Sequence, residues 1–281
     1  MPELPEVENV VLGLKKLIKN YIINSVVVKE DNIIAYPDSE SFSQQIKDKE
    51  IIDVFRRGKY LLFKLSQGKT MVIHLRMTGK LLVKPSSEPI QKHTHVIFKL
   101  NNNMDLRFNN VRKFGRVYLI DSDERENAGG LADLGPEPLS DNFTFDKFKN
   151  LFEGRTGRIK PLLLNQRFIA GLGNIYTDEA LFRSRIHPLR KADTLTEDEL
   201  KDLYNAIREV LKLGIKYNGT SFSDYVNALG EKGSFQAELL VYQREGENCP
   251  NCKTEIVRKK VGGRSSFYCP KCQKNPNKVS N

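Results

Sequence analysis

Residues 249–272 read CPNCKTEIVRKKVGGRSSFYCPKC, a stretch that contains all four cysteines of the 281-residue chain. The cysteines form two Cys-x2-Cys pairs that are separated by sixteen residues. Two such pairs supply four thiolates, the ligand set of a closed, tetrahedral structural zinc site. We therefore predict one structural Zn²⁺ in a C-terminal zinc finger, held by Cys249, Cys252, Cys269 and Cys272.

The residues between the two cysteine pairs, IVRKKVGGRSSFY, are typical of a β-hairpin with Gly262 and Gly263 at its turn. Arg264 would then project near the tip. Basic side chains on such a hairpin suit the phosphates or a groove of a nucleic acid. A small zinc ribbon with a solvated basic face would have the same pattern.

The chain begins MPELPEVENV, and Pro2 becomes a free secondary amine if the initiator methionine is removed. Such a nitrogen forms an iminium ion with an aldehyde-like carbon, which is a strong electron sink. Glu3 and Glu6 would place two carboxylates beside it for proton transfer. The same residues also suit a plain helix start, because proline and acids favour a first turn and an apolar stripe follows them.

The composition is that of a soluble globular protein, with 39% hydrophobic and 28% charged residues. No apolar run approaches the roughly 20 residues that cross a bilayer, and no signal-peptide pattern is present. We therefore expect a cytoplasmic protein without a membrane partner.

The net charge of +10 is distributed unevenly. Residues 241–281 contain nine basic and three acidic side chains, whereas residues 121–142 contain seven acidic and one basic. This division indicates one face for a polyanion and another directed away from it. Basicity alone does not separate DNA from RNA or from an anionic membrane.

The order of elements indicates an α+β fold. After a first helix, residues 22–36 and 51–120 alternate β-branched and aromatic runs with turn signals, as in an antiparallel sandwich or barrel. Helical patterns follow from about residue 143, and Thr196 with Glu199 predicts a capping box for a helix that Gly214 closes.

We predict three domains along the chain. The acidic segment after residue 121, with its glycines and prolines, favours a boundary. The first domain, residues 1–130, is an N-terminal helix plus an antiparallel β-sandwich. A helical domain follows at 131–235, and the zinc-finger hairpin occupies 236–281.

A glycine-rich turn lies within RFIAGLGNIYTDEALFRSRIHP, where Gly171 and Gly173 come just before Asn174. Backbone N–H groups at the start of the following helix would bind phosphate well. A helix–helix turn without a ligand has the same sequence pattern.

PELPEVE at the N-terminus, AGLGNIYTDEAL in the middle and the four-cysteine hairpin resemble, in this order, the bacterial formamidopyrimidine-DNA glycosylases. The likeness spans nearly the whole chain. It implies a helix-two-turn-helix element and a monomeric enzyme of base excision repair that acts on double-stranded DNA. It further implies a bifunctional glycosylase and AP lyase that removes oxidised purines, 8-oxoguanine and formamidopyrimidines, and cleaves the strand by β,δ-elimination.

The resemblance assigns the chemistry to four residues. Pro2 takes the place of the nucleophile that forms a Schiff base, which requires the loss of Met1. Glu3 matches the proton donor to the sugar, and Glu6 matches a supporting carboxylate. Lys59, in RRGKYLL, matches a lysine near the phosphate of the lesion; from its sequence alone it would be a solvated strand-end lysine.

Further residues are assigned to DNA by the same resemblance. Met77, Arg112 and Phe114 match the side chains that fill the void left by the extruded base and contact the orphaned cytosine. The residues at positions where the family contacts phosphates or the DNA backbone are His74, Lys160, Asn174, Tyr176 and Arg264. The loop that closes over the extruded base matches Thr220, Ser221, Phe222, Ser223 and Tyr225.

Some positions depart from the usual family pattern. Asn165 replaces the usual Asp, and Lys113 replaces the second Arg of the usual pattern. Asn110-Val111 replaces Asp-Pro, and Ser223 replaces a residue that is often basic. None of these changes removes a catalytic group, but lesion preference could shift with them.

Two other functions compete. Endonuclease VIII shares the N-terminal proline and the zinc hairpin but prefers oxidised pyrimidines; its branch usually has Gly where this chain has Leu4, and lacks the R-x-F-G pattern of residues 112–115. A non-catalytic DNA-bending protein would leave Pro2, Glu3 and Glu6 without a role.

Overall fold

The computed structural model describes residues 1–124, 128–222 and 225–275. It divides into two compact units, Met1–Asp133 with Gly214–Gln236, and Leu134–Leu213 with Ala237–Asn281. Residues 214–236 thus belong to the first unit, whereas the sequence pattern predicted that residues up to 235 belong to the helical domain. The division into three domains stays a prediction.

The first unit begins with helix α1, Leu4–Ile18. Glu3 is its N-cap residue, and the Glu3 N–H donates to the Glu6 carboxylate at 2.8 Å as part of a capping box. Five residues of the predicted apolar stripe are buried in the core of this unit, namely Val7, Val10, Val11, Leu14 and Ile18, and the sixth, Leu17, packs against that core partly buried.

Nine strands and one short helix make up most of the remaining first unit. The helix is α2, Ser39–Ile46. The strands are β1 Ile22–Val28, β2 Ile34–Tyr36, β3 Lys49–Arg57, β4 Tyr60–Leu65, β5 Lys69–His74, β6 Gly79–Pro85, β7 Thr94–Leu100, β8 Met104–Asn110 and β9 Arg116–Asp121.

These strands form the antiparallel β-sandwich that the sequence predicts. They pair in the order β2-β9-β5-β4-β3-β1-β7-β8-β6, and the parallel pairing of β2 with β9 is an exception to the antiparallel rule. β1 and β3 are paired at Ile22 and Ile23 alone, so the strands on either side form two layers. Their inner faces share one core that includes Phe63 and Phe98.

The second unit is largely helical. It contains α3 Phe145–Asn150, α4 Ile159–Leu164, α5 Asn174–Arg183 and most of α6, Glu197–Lys216. The capping box predicted for α6 is confirmed, since the Glu199 N–H donates to Thr196 Oγ1 at 3.2 Å and the Thr196 N–H donates to the Glu199 carboxylate at 2.9 Å. No helix in the described ranges has the length and apolarity of a membrane span.

The prediction that Gly214 closes α6 is wrong by two residues, because the helix continues to Lys216. Asn218 and Gly219 adopt left-handed φ values of 58° and 78°. The Gly219 N–H donates to the Gly214 carbonyl at 2.7 Å. The left-handed residues that end the helix therefore lie beyond Gly214.

The C-terminal hairpin is present as predicted, with strands β10 Val257–Val261 and β11 Arg264–Tyr268. Gly262 and Gly263 form its turn with φ values of 55° and 78°, which is the two-residue turn that favours glycine at both positions. A small apolar cluster supports the hairpin and includes Phe182, Val241, Ile256 and Phe267.

Candidate active site and nucleic-acid interface

Pro2 lies outside helix α1 and is buried. The proline in the first helical turn is Pro5, and the cap is Glu3, so the start of α1 does not depend on Pro2. Met1 is 54% exposed, and its peptide bond occupies the Pro2 nitrogen. Removal of Met1 would leave that nitrogen as a secondary amine.

Glu6 is buried and uses both carboxylate oxygens as acceptors. Oε2 accepts the Glu3 N–H and Oε1 accepts the Thr220 N–H, each at 2.8 Å. Gly219 has a φ of 78°, and a Cβ there would lie 2.9 Å from Glu6 Oε1. Glu6 thus ties the N-terminal residues to the segment after α6, and glycine is the residue that fits at position 219.

The predicted closing loop, residues 220–225, has a buried base. Thr220 and Tyr225 are buried, and burial together with the charge of Glu6 raises the pKa of Tyr225. Ser221 Oγ donates to the Tyr225 carbonyl and accepts the Gly233 N–H, both at 2.9 Å. Phe222 is 46% exposed, whereas Ser223 lies outside the described residues.

Lys59 and His74 are both buried, near the start of β4 and at the end of β5. His74 Nδ1 accepts the Arg76 N–H at 2.9 Å, which assigns the ring proton to Nε2. Burial, with the charges of Arg76 and Lys59, lowers the pKa of His74 to about 3. His74 is therefore a neutral imidazole whose Nε2–H suits a phosphate oxygen.

Met77, Arg112 and Phe114 form one exposed cluster, here called the exposed trio. Met77 is 43% and Phe114 49% exposed. Arg112 Nη1 lies 3.2 Å from Met77 Sδ, and its guanidinium carbon lies 5.2 Å from the Phe114 ring centroid. Large apolar side chains grouped at a surface around a cation indicate a binding site rather than a core.

In the second unit, Asn174 opens α5 and its Nδ2 donates to the Ser265 carbonyl at 2.9 Å. An amide nitrogen carries two hydrogens, so a second donor is left for a phosphate. The preceding turn has a φ of 88° at Gly171. Gln166 holds this turn, because its Oε1 accepts the Gly171 N–H at 2.9 Å.

Lys160 and Tyr176 have no exposed surface. Lys160 Nζ lies 2.7 Å from Asp178 Oδ1 and donates to the Ser265 carbonyl at 2.8 Å. Asp178 Oδ2 accepts the Phe267 N–H at 3.0 Å. Burial raises the pKa of Asp178 to about 7, against the lowering effect of Lys160. Both side chains are internal here, and the DNA-backbone contacts that the resemblance suggested for Lys160 and Tyr176 stay predictions.

Asp178 and its neighbour Glu179 were missed by the sequence reasoning. Glu179 is fully buried, accepts the N–H groups of Leu240, Val241 and Tyr242 at 2.9 to 3.0 Å, and pairs with an arginine in the next helical turn. The available signal was two adjacent acids in the helix after the glycine turn, because acids inside an otherwise apolar helix are usually paired.

Arg264 is exposed at the first position of β11, directly after the glycine turn. Arg258, Lys259 and Lys260 on β10 are exposed as well. Arg258 Nε lies 3.2 Å from Ser265 Oγ. The hairpin tip therefore presents positive charge, as the sequence predicts.

The four cysteine sulfurs lie within 4.8 Å of one another. Cys249 Sγ is 3.9 Å from Cys272 Sγ, and Cys252 Sγ is 3.4 Å from Cys269 Sγ. Thiolates about 2.3 Å from a tetrahedral zinc lie about 3.8 Å apart, so the donor set and its spacing fit one structural zinc.

Three family models match the chain in succession. The Formamidopyrimidine-DNA glycosylase N-terminal domain matches residues 1–117, the H2TH domain of the same glycosylase matches 134–226, and the zinc finger found in FPG and IleRS matches 246–275. The chain belongs to the formamidopyrimidine-DNA glycosylase family.

Relatives in this family agree with the chain over its full length. The formamidopyrimidine-DNA glycosylase of Pelotomaculum thermopropionicum is 49% identical, and the match covers 98% of this chain and 99% of the relative. The formamidopyrimidine-DNA glycosylase of Heliobacterium modesticaldum is 46% identical, and the match covers 98% of this chain and 100% of the relative. A crystal structure of a Lactococcus lactis FPG mutant with Fapy-dG-containing DNA has a TM-score of 0.92 at 37% identity, and covers 98% of this chain and 100% of that one.

As a member of this family, the protein is a DNA glycosylase of base excision repair, and its departures from the family pattern are accommodated locally. Asn165 Oδ1 accepts the Arg167 N–H at 3.0 Å, as a carboxylate would. Lys113 forms an ion pair with Glu30. Asn110 is hydrogen-bonded through Oδ1 to the Thr78 hydroxyl at 2.9 Å.

Proposed function

We propose that the protein is a bifunctional glycosylase and AP lyase that removes 8-oxoguanine and formamidopyrimidines from duplex DNA through a Schiff base on Pro2. The observation that carries the proposal is the fixed N-terminus. Pro2 stands outside α1, and Glu6 is hydrogen-bonded through both oxygens. The Lactococcus lactis relatives that were crystallised with Fapy-dG-containing and abasic-site DNA support the substrate class.

The chemistry follows from a secondary amine beside two carboxylates. With Met1 removed, the neutral Pro2 amine attacks C1′ of the damaged nucleotide and the bond from C1′ to the base breaks; the proton that the Pro2 nitrogen gives up balances the proton that the departing base takes up. Glu3 protonates the sugar ring oxygen, so that the ring opens and C1′ becomes an iminium carbon. Loss of a C2′ proton then expels the 3′ phosphate, a further proton loss expels the 5′ phosphate, and water releases Pro2.

Each unit contributes its own DNA contacts. In the first unit, the exposed trio fills the space that the extruded base leaves, and the His74 Nε2–H donates to a phosphate. In the second unit, the free Asn174 hydrogen and Arg264 bind the backbone. Cys249, Cys252, Cys269 and Cys272 would hold a zinc that stabilises the hairpin, and four thiolate ligands would leave no open position for chemistry.

The closing loop supplies contacts to the extruded base. Within the described residues, the buried hydroxyls of Thr220 and Tyr225 have no hydrogen-bond partner. Unpaired buried hydroxyls are costly, which favours a polar atom of the ligand as their partner. Phe222 offers an exposed ring for stacking.

Borohydride trapping tests the proposal. The mature protein is incubated with duplex that contains 8-oxoguanine opposite cytosine, and reduction should yield a covalent protein–DNA species that Pro2→Ala does not form. Mass spectrometry of the intact N-terminus checks that Met1 is absent. Trapping by Pro2→Ala at the wild-type level would refute the mechanism.

Substrate ranking in the same assay separates the two glycosylase classes. A structure of Lactococcus lactis FPG also contains an oxidised-pyrimidine DNA, so both lesion types are compared at equal enzyme. Faster processing of 8-oxoguanine supports the purine assignment. Faster processing of oxidised pyrimidines contradicts it, and binding without strand cleavage contradicts catalysis.

A further inference from the structure

The exposed trio is assembled from two separate connections. Met77 lies in the connection between β5 and β6, whereas Arg112 and Phe114 lie in the connection between β8 and β9. Arg112 reaches both of the other members, but these contacts are at the surface and weak. A stronger element is needed to fix the distance between the two connections.

One buried hydroxyl joins them. Thr78 Oγ1 donates to Asn110 Oδ1 at 2.9 Å and accepts the Arg112 N–H at 3.1 Å. Thr78 is 8% exposed and Asn110 has no exposed surface. A hydroxyl has one hydrogen to donate, and here that hydrogen goes to Asn110 while a lone pair receives the Arg112 N–H. The bridge therefore links the residue that follows Met77 to the backbone of Arg112.

Asn110 is the fixed end of this bridge. Its N–H donates to the His93 carbonyl at 2.9 Å, and its own carbonyl accepts the Lys113 N–H at 3.2 Å. The same carbonyl oxygen lies 3.2 Å from His95 Nε2. Because the backbone of Asn110 has these partners, the Thr78 hydroxyl connects the Met77 segment to a backbone position that is held by several hydrogen bonds.

The two connections are also closely packed. A Cβ at Gly79 would lie 2.4 Å from the Leu75 carbonyl oxygen, and a Cβ at Gly115 would lie 2.4 Å from Asn110 Nδ2. The backbone is therefore closely packed where the first connection meets β6 and where the second meets β9. The ion pair of Lys113 with Glu30 is largely exposed and adds little.

We propose that Thr78 is a positioning residue that sets the spacing between Met77 and the Arg112–Phe114 segment, and thereby the response of the enzyme to the base opposite the lesion. The inference rests on the proposed function, in which the trio fills the void beside the orphaned base. Without the hydroxyl, Asn110 Oδ1 and the Arg112 N–H lose their partner. The relative positions of the three side chains in the exposed trio are then no longer fixed.

Thr78→Val and Thr78→Ser form a matched pair for the test. Valine keeps the shape without the hydroxyl, and serine keeps the hydroxyl. On 8-oxoguanine opposite cytosine, we expect Thr78→Val to lose about tenfold in kcat/KM, equivalent to about 1.4 kcal/mol, and its preference for cytosine over adenine to fall. Thr78→Ser should stay within about twofold of wild type.

Two further measurements separate positioning from folding. Borohydride trapping on a single-stranded abasic oligonucleotide needs no void filling, so we expect wild type, Thr78→Val and Thr78→Ser to trap equally. The melting temperatures of the three proteins are recorded alongside. Equal losses by Thr78→Val on duplex and single strand, with a lowered melting temperature, would overturn the inference in favour of a structural role.

A binding readout keeps this inference separate from the chemistry. A 2-aminopurine opposite a tetrahydrofuran abasic analogue reports its stacking when the protein binds at saturation. We expect a smaller fluorescence change with Thr78→Val than with wild type or Thr78→Ser; an unchanged signal and unchanged opposite-base preference would overturn the inference. Absence of wild-type trapping would instead refute the proposed function, whatever the fluorescence shows.

Discussion

The exposed trio of the first unit and the Lys160–Asp178 pair of the second differ in where they act. Phe114 and Met77 reach solvent, and the hydrogen bonds that hold them lie below. Lys160 and Asp178 are buried, and what they hold is backbone, namely the Ser265 carbonyl and the Phe267 N–H of β11. In the first region side chains make the surface, whereas in the second a buried ion pair sets the position of a strand whose first residue is Arg264.

Zinc removal should have the largest effect, because it tests whether the second region depends on metal as well as on the ion pair. Structural zinc contributes on the order of 10 kcal/mol in small fingers. We expect one zinc per chain by elemental analysis, and chelation should abolish hydrogen-exchange protection of β10 and β11 while β4 and β5 keep theirs. Retained protection of the hairpin after complete metal loss would contradict the assignment.

Asp178→Asn comes next, since at pH 8.5, above the Asp178 pKa of about 7, it leaves the Lys160 ammonium buried without a counter-charge. We expect a loss of about 3–5 kcal/mol in the free energy of unfolding, measured by denaturant titration. Glu247→Ala is the control; it removes an exposed pair with Arg244, 2.8 Å long, and should cost at most about 1 kcal/mol. A small effect of Asp178→Asn would show that the ion pair is not what holds β11.

His74 allows the buried part of the first region to be tested by pH. Its folded pKa of about 3 lies below the usual 6.5, so the unfolded chain takes up the proton first. Stability from the neutral imidazole is complete above pH 6.5 and is lost as pH falls toward 3. Between pH 7.5 and 4.5, wild type should lose roughly 2–3 kcal/mol more than His74→Asn.

The His74→Asn variant is the matched control, because an amide oxygen can accept the Arg76 N–H in place of Nδ1. Urea denaturation of both proteins at the two pH values gives the difference. Parallel pH profiles for wild type and His74→Asn would show that the imidazole is not held neutral.

Phe114→Ala should have the smallest effect on stability and a clear one on activity. Because the ring is half exposed, we expect a change below about 0.5 kcal/mol in unfolding and a loss of about tenfold in kcat/KM for duplex substrate. Val111→Ala, also exposed in the same connection, should leave both unchanged. If the two variants behave alike, the trio is not a separate functional surface.

The parts of the molecule that depend on local pattern could be predicted from the sequence. The strands, the α6 capping box, the hairpin turn and the cysteine cluster all follow from spacing over a few residues. The end of α6 was misplaced because Gly214 tolerates a helix interior, while Asn218 and Gly219 supply the left-handed backbone.

The supports of the site could not be predicted, because their partners are remote in sequence. Lys160 meets the Ser265 carbonyl across 105 positions, and Thr220 meets Glu6 across 214. Neither of these pairings produces a periodic pattern in the sequence. A lysine before a glycine turn has the same sequence appearance whether it faces a phosphate or an internal aspartate, and its burial alone distinguishes the two.

The close fit of Gly219 against Glu6 has a consequence for engineering. A mutant library that varies the closing loop to change lesion preference has to leave some positions unchanged. Position 219 admits no side chain and Ser221 braces the loop, so both are kept constant. The exposed ring of Phe222 is where amino-acid variety can be introduced while the scaffold that presents it is preserved.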